Sequence, residues 1–190
     1  MTDAALSRET APRPADSPRL SLVAPLAAAR MPRIVVLLWV ALLAYLCDVV
    51  TKFLVVASLS EDSPLPIRHT GLSLRLIRNP GAAFGLDLGS TVLFTLVTAA
   101  VIGAVLRVAR RLGSLPWAVA LGLLLGGSLG NLTDRLSRSP GPLRGRVVDW
   151  IDLPGWPIFN LADASICLAG ILIVVLALRN VPISGRRRRR

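Results

Sequence analysis

Asp149 and Asp163 are the residues of this chain whose type and spacing most directly suggest chemistry. Pro154, Gly155 and Pro157 lie between them, enough breakers to turn the chain back and bring the two acids face to face. Two carboxyl groups sharing a partly desolvated site cannot both ionise, so one keeps a proton while the other accepts one. The charged member can then activate water while the protonated member polarises a scissile carbonyl, which is peptide hydrolysis without a metal or a nucleophilic serine. A rival reading pairs Asp149 with Arg146 at the surface and uses Asp163 to cap or stabilise a helix. The residues alone leave both open.

Lys52, the sole lysine, allows two further readings. Desolvated in an apolar segment, it would serve as the base for a serine such as Ser128. Asp48, one helical turn away, opposes this by holding the lysine charged. Asp48, Lys52 and Asp163 would also suit a proton or ion path in a small transporter, although nothing ionisable continues along any apolar segment toward its other end. His69 is the only histidine, and Cys47 and Cys167 fall in apolar runs. No metal site, cofactor or disulfide framework is expected, and the cysteines read as small packing residues.

The elements that must position these groups are membrane spans. The 190 residues are 53% hydrophobic and 17% charged, too apolar for a soluble chain of this size. A hydrocarbon core of about 30 Å needs roughly 20 helical residues. Four segments meet that length: 34–59, 88–106, 112–133 and 158–178. Residues 1–30, rich in Pro, Ala and Ser, read as a disordered tail, 31–180 as one four-span domain, and 181–190 as a basic tail. A secretory signal peptide is the weaker reading of the first span, because its charged leader would exceed 30 residues and Asp48 and Lys52 precede any cleavage site.

The formal charge of +11 orients the chain. Fourteen of the 22 basic residues lie in the segment up to Arg33, the 107–111 loop and the segment from Arg179 onward, and seven in the 60–87 and 134–157 loops. By the positive-inside rule both termini are cytoplasmic and both long loops face outward. The arginines do not line one amphipathic face, so nucleic acid is not the expected partner. Arg186 to Arg190, beside a membrane exit, suit anionic lipid.

With that orientation the polar residues meet in the outer half of the membrane. Asp48 lies about 16 Å from the outer end of its span, with Lys52 one turn nearer the outside. Asn131, Asp134 and Arg135 share a face at the exit of the third span, and Asn160 and Asp163 share one at the entry of the fourth. Gly122, Gly126 and Gly130 form a small-residue stripe that lets a neighbouring backbone approach, and it reads first as helix packing. In the first outer loop, 72–76 alternates with the period of a strand and runs into the turn-rich 79–85. A small outer β cradle follows. Trp150 and Trp156 are placed to be interfacial anchors.

Five blocks occur in order: Asp48-x-x-x-Lys52; Asn79-x-Gly81-Ala82-Ala83-Phe84; Gly126-Gly127-x-x-Gly130-Asn131-Leu132-x-Asp134-Arg135; Val147-Val148-Asp149; and Phe159-Asn160-x-Ala162-Asp163. Together they resemble the bacterial lipoprotein signal peptidases, the signal peptidase II family of aspartyl peptidases. The resemblance implies an all-α membrane protein with four transmembrane helices, a small extracytoplasmic β cradle and a short extracytoplasmic helix or loop. It implies an intramembrane endopeptidase of the bacterial cytoplasmic membrane that removes the signal peptide from prolipoproteins, cutting before a diacylglyceryl-modified cysteine near the outer leaflet. Asp149 and Asp163 match the catalytic pair; Asn79, Asn131, Arg135 and Asn160 match polar support; Asp48, Lys52 and Asp134 match positions that read as structural or site-shaping. No cofactor, a monomer and inhibition by cyclic peptides of the globomycin type are further implications. The stretch 137–144 looks extended for the family, and the spacing from Asp149 to Asp163 looks short.

Overall fold

The structure, a computed structural model, describes residues 32–61, 64–81 and 91–185. The N-terminal tail, the 82–84 part of the second block and the terminal arginine run lie outside the described residues. Four helices carry the chain: α1 (Arg33–Ser58), α2 (Thr91–Ala109), α3 (Leu115–Ser137) and α4 (Leu161–Leu178). All four are long and apolar enough to span a bilayer. They begin and end within a few residues of the expected limits, and each stops at a local signal. Ser114 and Pro116 open α3, Pro140 follows its end, and Pro182 follows α4.

The helices are arranged around α3. Twelve of its 23 residues are buried, against five in α1 and three each in α2 and α4. A helix wrapped by others can be the least apolar of the set, because its neighbours and not lipid surround it. The outer helices show the converse pattern. In α1, Leu37, Ala41, Asp48, Lys52 and Val55 face inward at helical spacing, while Leu38, Leu42, Leu46, Phe53 and Leu54 are exposed. Polar groups lie inside and apolar ones outside, the order a membrane requires.

The glycine stripe sets the α1–α3 approach. A Cβ on Gly122 would stand 2.8 Å from the Leu37 carbonyl and from the Val40 Cβ, and one on Gly126 would meet the Ala41 carbonyl. On Gly130 it would collide with the Asp48 carboxylate. Gly127 faces the other way, with the Ala162 carbonyl of α4 at 2.6 Å from its missing Cβ. Small residues therefore bring both neighbours onto α3 at the level of the polar groups.

Beyond this end of the bundle lies a three-stranded antiparallel sheet in the order β1 (Leu65–Pro66), β2 (Ser73–Asn79), β3 (Val147–Asp152). Asn79 opposes Val147 and Ile77 opposes Asp149, with an irregularity between Leu74 and Ile77. Leu76 and Val148 bury against Val55, which seats the sheet on the end of α1. The expected cradle is present. It extends further along the chain than the alternation at 72–76 indicates, because β3 is buried at Val147, Val148 and Asp149 in succession and shows no period of two. No extramembrane helix occurs among the described residues.

Two expectations about single residues are corrected. Cys47 and Cys167 are exposed and are not packed in the core, since each lies off the buried face of its helix. Trp150 packs against the Val55, Leu76 and Val148 cluster, so of the two tryptophans only Trp156, 65% exposed, lies apart from that cluster.

Candidate active site

Asp149 comes from β3 and Asp163 from the first turn of α4. The chain between them turns back as the breakers require: Gly155 sits at φ +75°, and Ile151 bridges Phe159 in antiparallel fashion. This returns Asn160 to the level of Asp149. Asn160 is fully buried and binds both acids. Its Nδ2 donates to Asp149 Oδ1 at 2.6 Å, its Oδ1 accepts from the Asp163 backbone N–H at 2.9 Å, and its own N–H donates to Asp163 Oδ2 at 3.3 Å. The last two bonds form a capping box. Asp163 thus does cap its helix, as the rival reading has it, while facing Asn131. Asp149 does not pair with Arg146 and is 2% exposed.

The remaining bonds come from asparagines whose orientation is set by donors on their far side. The Gly81 N–H donates to Asn79 Oδ1 at 2.8 Å, so the Asn79 amide nitrogen faces the sheet and donates to Asp149 Oδ2 at 2.8 Å. Asn79 reaches across because it lies diagonal to Asp149 on the β2–β3 ladder. Lys52 does the same for Asn131. Its ammonium, a donor only, contacts Asn131 Oδ1 at 3.0 Å, which leaves Asn131 Nδ2 to donate to Asp163 Oδ1 at 2.8 Å.

Lys52 is itself 1% exposed and has three partners for three hydrogens: Asn131, Asp48 at 2.7 Å and Asp134 at 2.9 Å. An ammonium between two carboxylates is not a base for Ser128, so this geometry does not support a Ser-Lys pair. The two acids have further structural partners. Asp48 accepts the Ala162 N–H at the start of α4 at 2.9 Å, and Asp134 accepts the Val148 N–H of β3 at 3.1 Å and pairs with Arg138. One lysine and two aspartates therefore tie α1, α3, α4 and β3 together beside the acids.

Arg135 points elsewhere. Its guanidinium lies 5.6 Å from the centre of the Phe94 ring of α2, and its Nε and Nη1 are buried without a hydrogen-bond partner. Its charge interacts with Asp149, Asp163 and Asp134. Burial first, and the Asp163 charge second, push the Asp149 carboxyl up from 3.8 to about 6, against the hydrogen bonds from Asn79 and Asn160.

Asp149, Asp163 and Asn79 line a cavity of about 900 Å³. Ile77, Leu153, Trp156, Ile158, Phe159 and Cys167 make most of its wall. Sequence reasoning missed these apolar residues as a group. They lie on β2, the β3–α4 connection and α4, and only Phe159, beside Asn160 in its block, carried a signal for the site.

Two carboxyl groups lining an apolar cavity at one end of a bundle of four helices apolar enough to span a membrane define a class: helical membrane proteins with a polar site at one end. The family profile described as signal peptidase (SPase) II matches residues 40–179. The lipoprotein signal peptidase of Streptomyces griseus is 52% identical over 153 residues, 80% of this chain and 78% of that protein. That of Streptomyces coelicolor is also 52% identical, over 80% of this chain and 75% of its own. A bacterial membrane enzyme solved in meso at 2.3 Å superposes with a TM-score of 0.68 at 28% identity, covering 81% of this chain and 93% of that one. The chain belongs to the signal peptidase II family.

Proposed function

We propose that this protein is an aspartyl endopeptidase that removes the signal peptide from prolipoproteins, cleaving before the diacylglyceryl-modified cysteine. The observation that carries the reading is that Asp149 and Asp163 share Asn160 and face one apolar-walled cavity. With Asp149 raised to about 6, the pair keeps a proton up to about pH 6, well above the ordinary carboxylate range. The charged carboxylate takes a proton from water as its oxygen attacks the scissile carbonyl, and the protonated carboxyl donates to the carbonyl oxygen. Collapse of the tetrahedral diol then breaks the C–N bond and passes a proton to the leaving amine of the cysteine. The signal peptide leaves as a carboxylic acid and the dyad regains its starting proton count.

The surroundings supply the rest. Asn79, Asn131 and Asn160 hold the acids in place with neutral donors, and the buried Arg135 charge acts on both acids from beside Phe94. The apolar wall suits acyl chains and the signal-peptide helix. The distribution of arginines supports placing both termini in the cytoplasm and the acids at the outer leaflet of the bacterial membrane.

The test is a gel-shift assay with a diacylglyceryl-modified prolipoprotein and the full chain in micelles. Wild type shortens the substrate, and Asp149→Asn and Asp163→Asn do not. Cleavage by both variants at the wild-type rate would overturn the aspartyl mechanism. Ion or proton flux through reconstituted protein, with no shortening of the substrate, would favour the transporter instead.

A further inference from the structure

The opposite end of the bundle holds a second cavity, of about 310 Å³. The beginnings of α1 and α3 and the end of α4 form it, through Arg33, Ser114, Leu115, Arg179 and Asn180. The segment after α4 folds over to complete it. Gly113 and Ser114 donate their N–H groups to the Ile183 carbonyl at 2.9 and 3.0 Å, and Trp117 Nε1 donates to the Val181 carbonyl at 2.8 Å. Gly113 is required here, since a side chain would run into the Ser184 backbone.

The cavity's charge is of one sign. Arg33 and Arg179 line it, no acid does, and among the described residues neither guanidinium has an ion-pair partner. The positive ends of α1 and α3 add to this, and neither helix has an acid in its first turn or a side-chain cap. Ser114 stands at the N-cap of α3, where a serine hydroxyl ordinarily accepts a first-turn N–H. It makes no such bond. Only 7% exposed, it lines the cavity, and its hydroxyl has no hydrogen-bond partner among the described residues.

Two unpaired guanidinia, two uncapped helix starts and a buried free hydroxyl are together complementary to a phosphate. The level of the cavity points to a source for it. Ile34 and Leu38 of α1 and Val174 and Leu178 of α4, all exposed, continue from the cavity along the bundle's apolar outer surface. A phosphate held there could have its acyl chains against them. We propose that this cavity binds the phosphodiester headgroup of an anionic phospholipid, with Arg33 and Arg179 on the phosphate oxygens and Ser114 as a further donor.

The experiment is native mass spectrometry of the full chain, titrated in micelles with phosphatidylglycerol, phosphatidylcholine or inorganic phosphate. One phosphatidylglycerol is retained per chain in preference to phosphatidylcholine, and inorganic phosphate does not displace it. The double variant Arg33→Gln with Arg179→Gln weakens retention about tenfold, the loss of roughly one charge-assisted contact. Ser114→Ala, which keeps both charges, weakens it about threefold, near one neutral hydrogen bond. Prolipoprotein cleavage is unchanged in all three proteins, which also reports that they are folded. Changing Arg186 to Arg190 to glutamine leaves the single bound lipid in place. The proposal is overturned if Ser114→Ala and the double variant bind as wild type does, if only the loss of the five terminal arginines removes the lipid, or if inorganic phosphate binds equally well.

Discussion

Two pairs of aspartates lie in the same polar end of this bundle and are held by opposite means. Asp48 and Asp134 share the Lys52 ammonium, so their charge is neutralised in place and each is free to bind a backbone N–H of another element. Asp149 and Asp163 receive only amide donors, from three asparagines and from the backbone. A cation fixes a carboxylate in its ionised state, whereas a neutral amide fixes its position and leaves the proton exchangeable. Residue type alone does not separate the two pairs. What stands on the far side of each does, and Asn131 joins them by taking Lys52 on its oxygen and giving its nitrogen to Asp163.

Neutralising each pair in turn gives the sharpest contrast. Asp149→Asn or Asp163→Asn lowers turnover by about 10² to 10⁴-fold while the thermal midpoint in micelles does not fall below the wild-type value. Equal loss of stability in those variants would erase the distinction drawn between the pairs. Lys52→Met should do the reverse of a purely catalytic lesion, leaving Asp48 buried without a counter-ion and Asp134 with Arg138 alone, at a cost of about 3–5 kcal/mol, read by unfolding in mixed micelles. Adding Asp48→Asn to it should restore part of that loss.

The exchangeable proton has its own signature. The folded Asp149 pKa of about 6 lies above its ordinary 3.8, so the folded state holds this proton after the unfolded chain has released it. That contribution is complete below about pH 4 and is lost as pH rises through 6, by up to roughly 3 kcal/mol, and Asp149→Asn should flatten the decline. The smallest effect concerns the approach of α1 to α3. Gly122→Val, forced against Leu37 and Val40, should cost about 1–3 kcal/mol, while Gly103→Ala, with open space around it, should cost nothing measurable.

Much of this was legible in the residues. The spans follow from uninterrupted apolar runs, and Asp48 with Lys52 from a spacing of four. The Gly122 to Gly130 stripe announced a close helix contact and left the partner unnamed. Less legible were relations across elements, because no local period encodes them. Asp134 as the second partner of Lys52, Asn79 as the diagonal neighbour of Asp149, and the choice of Asn160 over Arg146 all depend on strand register and helix rotation. Asp163 takes the capping role of one of its rival readings, and the bond that starts α4 also holds the acid still.

The two charged pairs within single helices bear on how the protein is assembled. Asp48 and Lys52 are four residues apart in α1, and Asp134 and Arg138 four apart at the end of α3. Each helix therefore brings its own counter-ion with it into the bilayer. A newly inserted α1, before any partner arrives, already neutralises its acid, and α3 does the same at its exit. The added contact of Lys52 with Asp134 can wait until the helices meet, and both pairs within single helices persist beside it. The order of synthesis is then compatible with the final network, because no stage of insertion leaves these groups as bare charges in hydrocarbon.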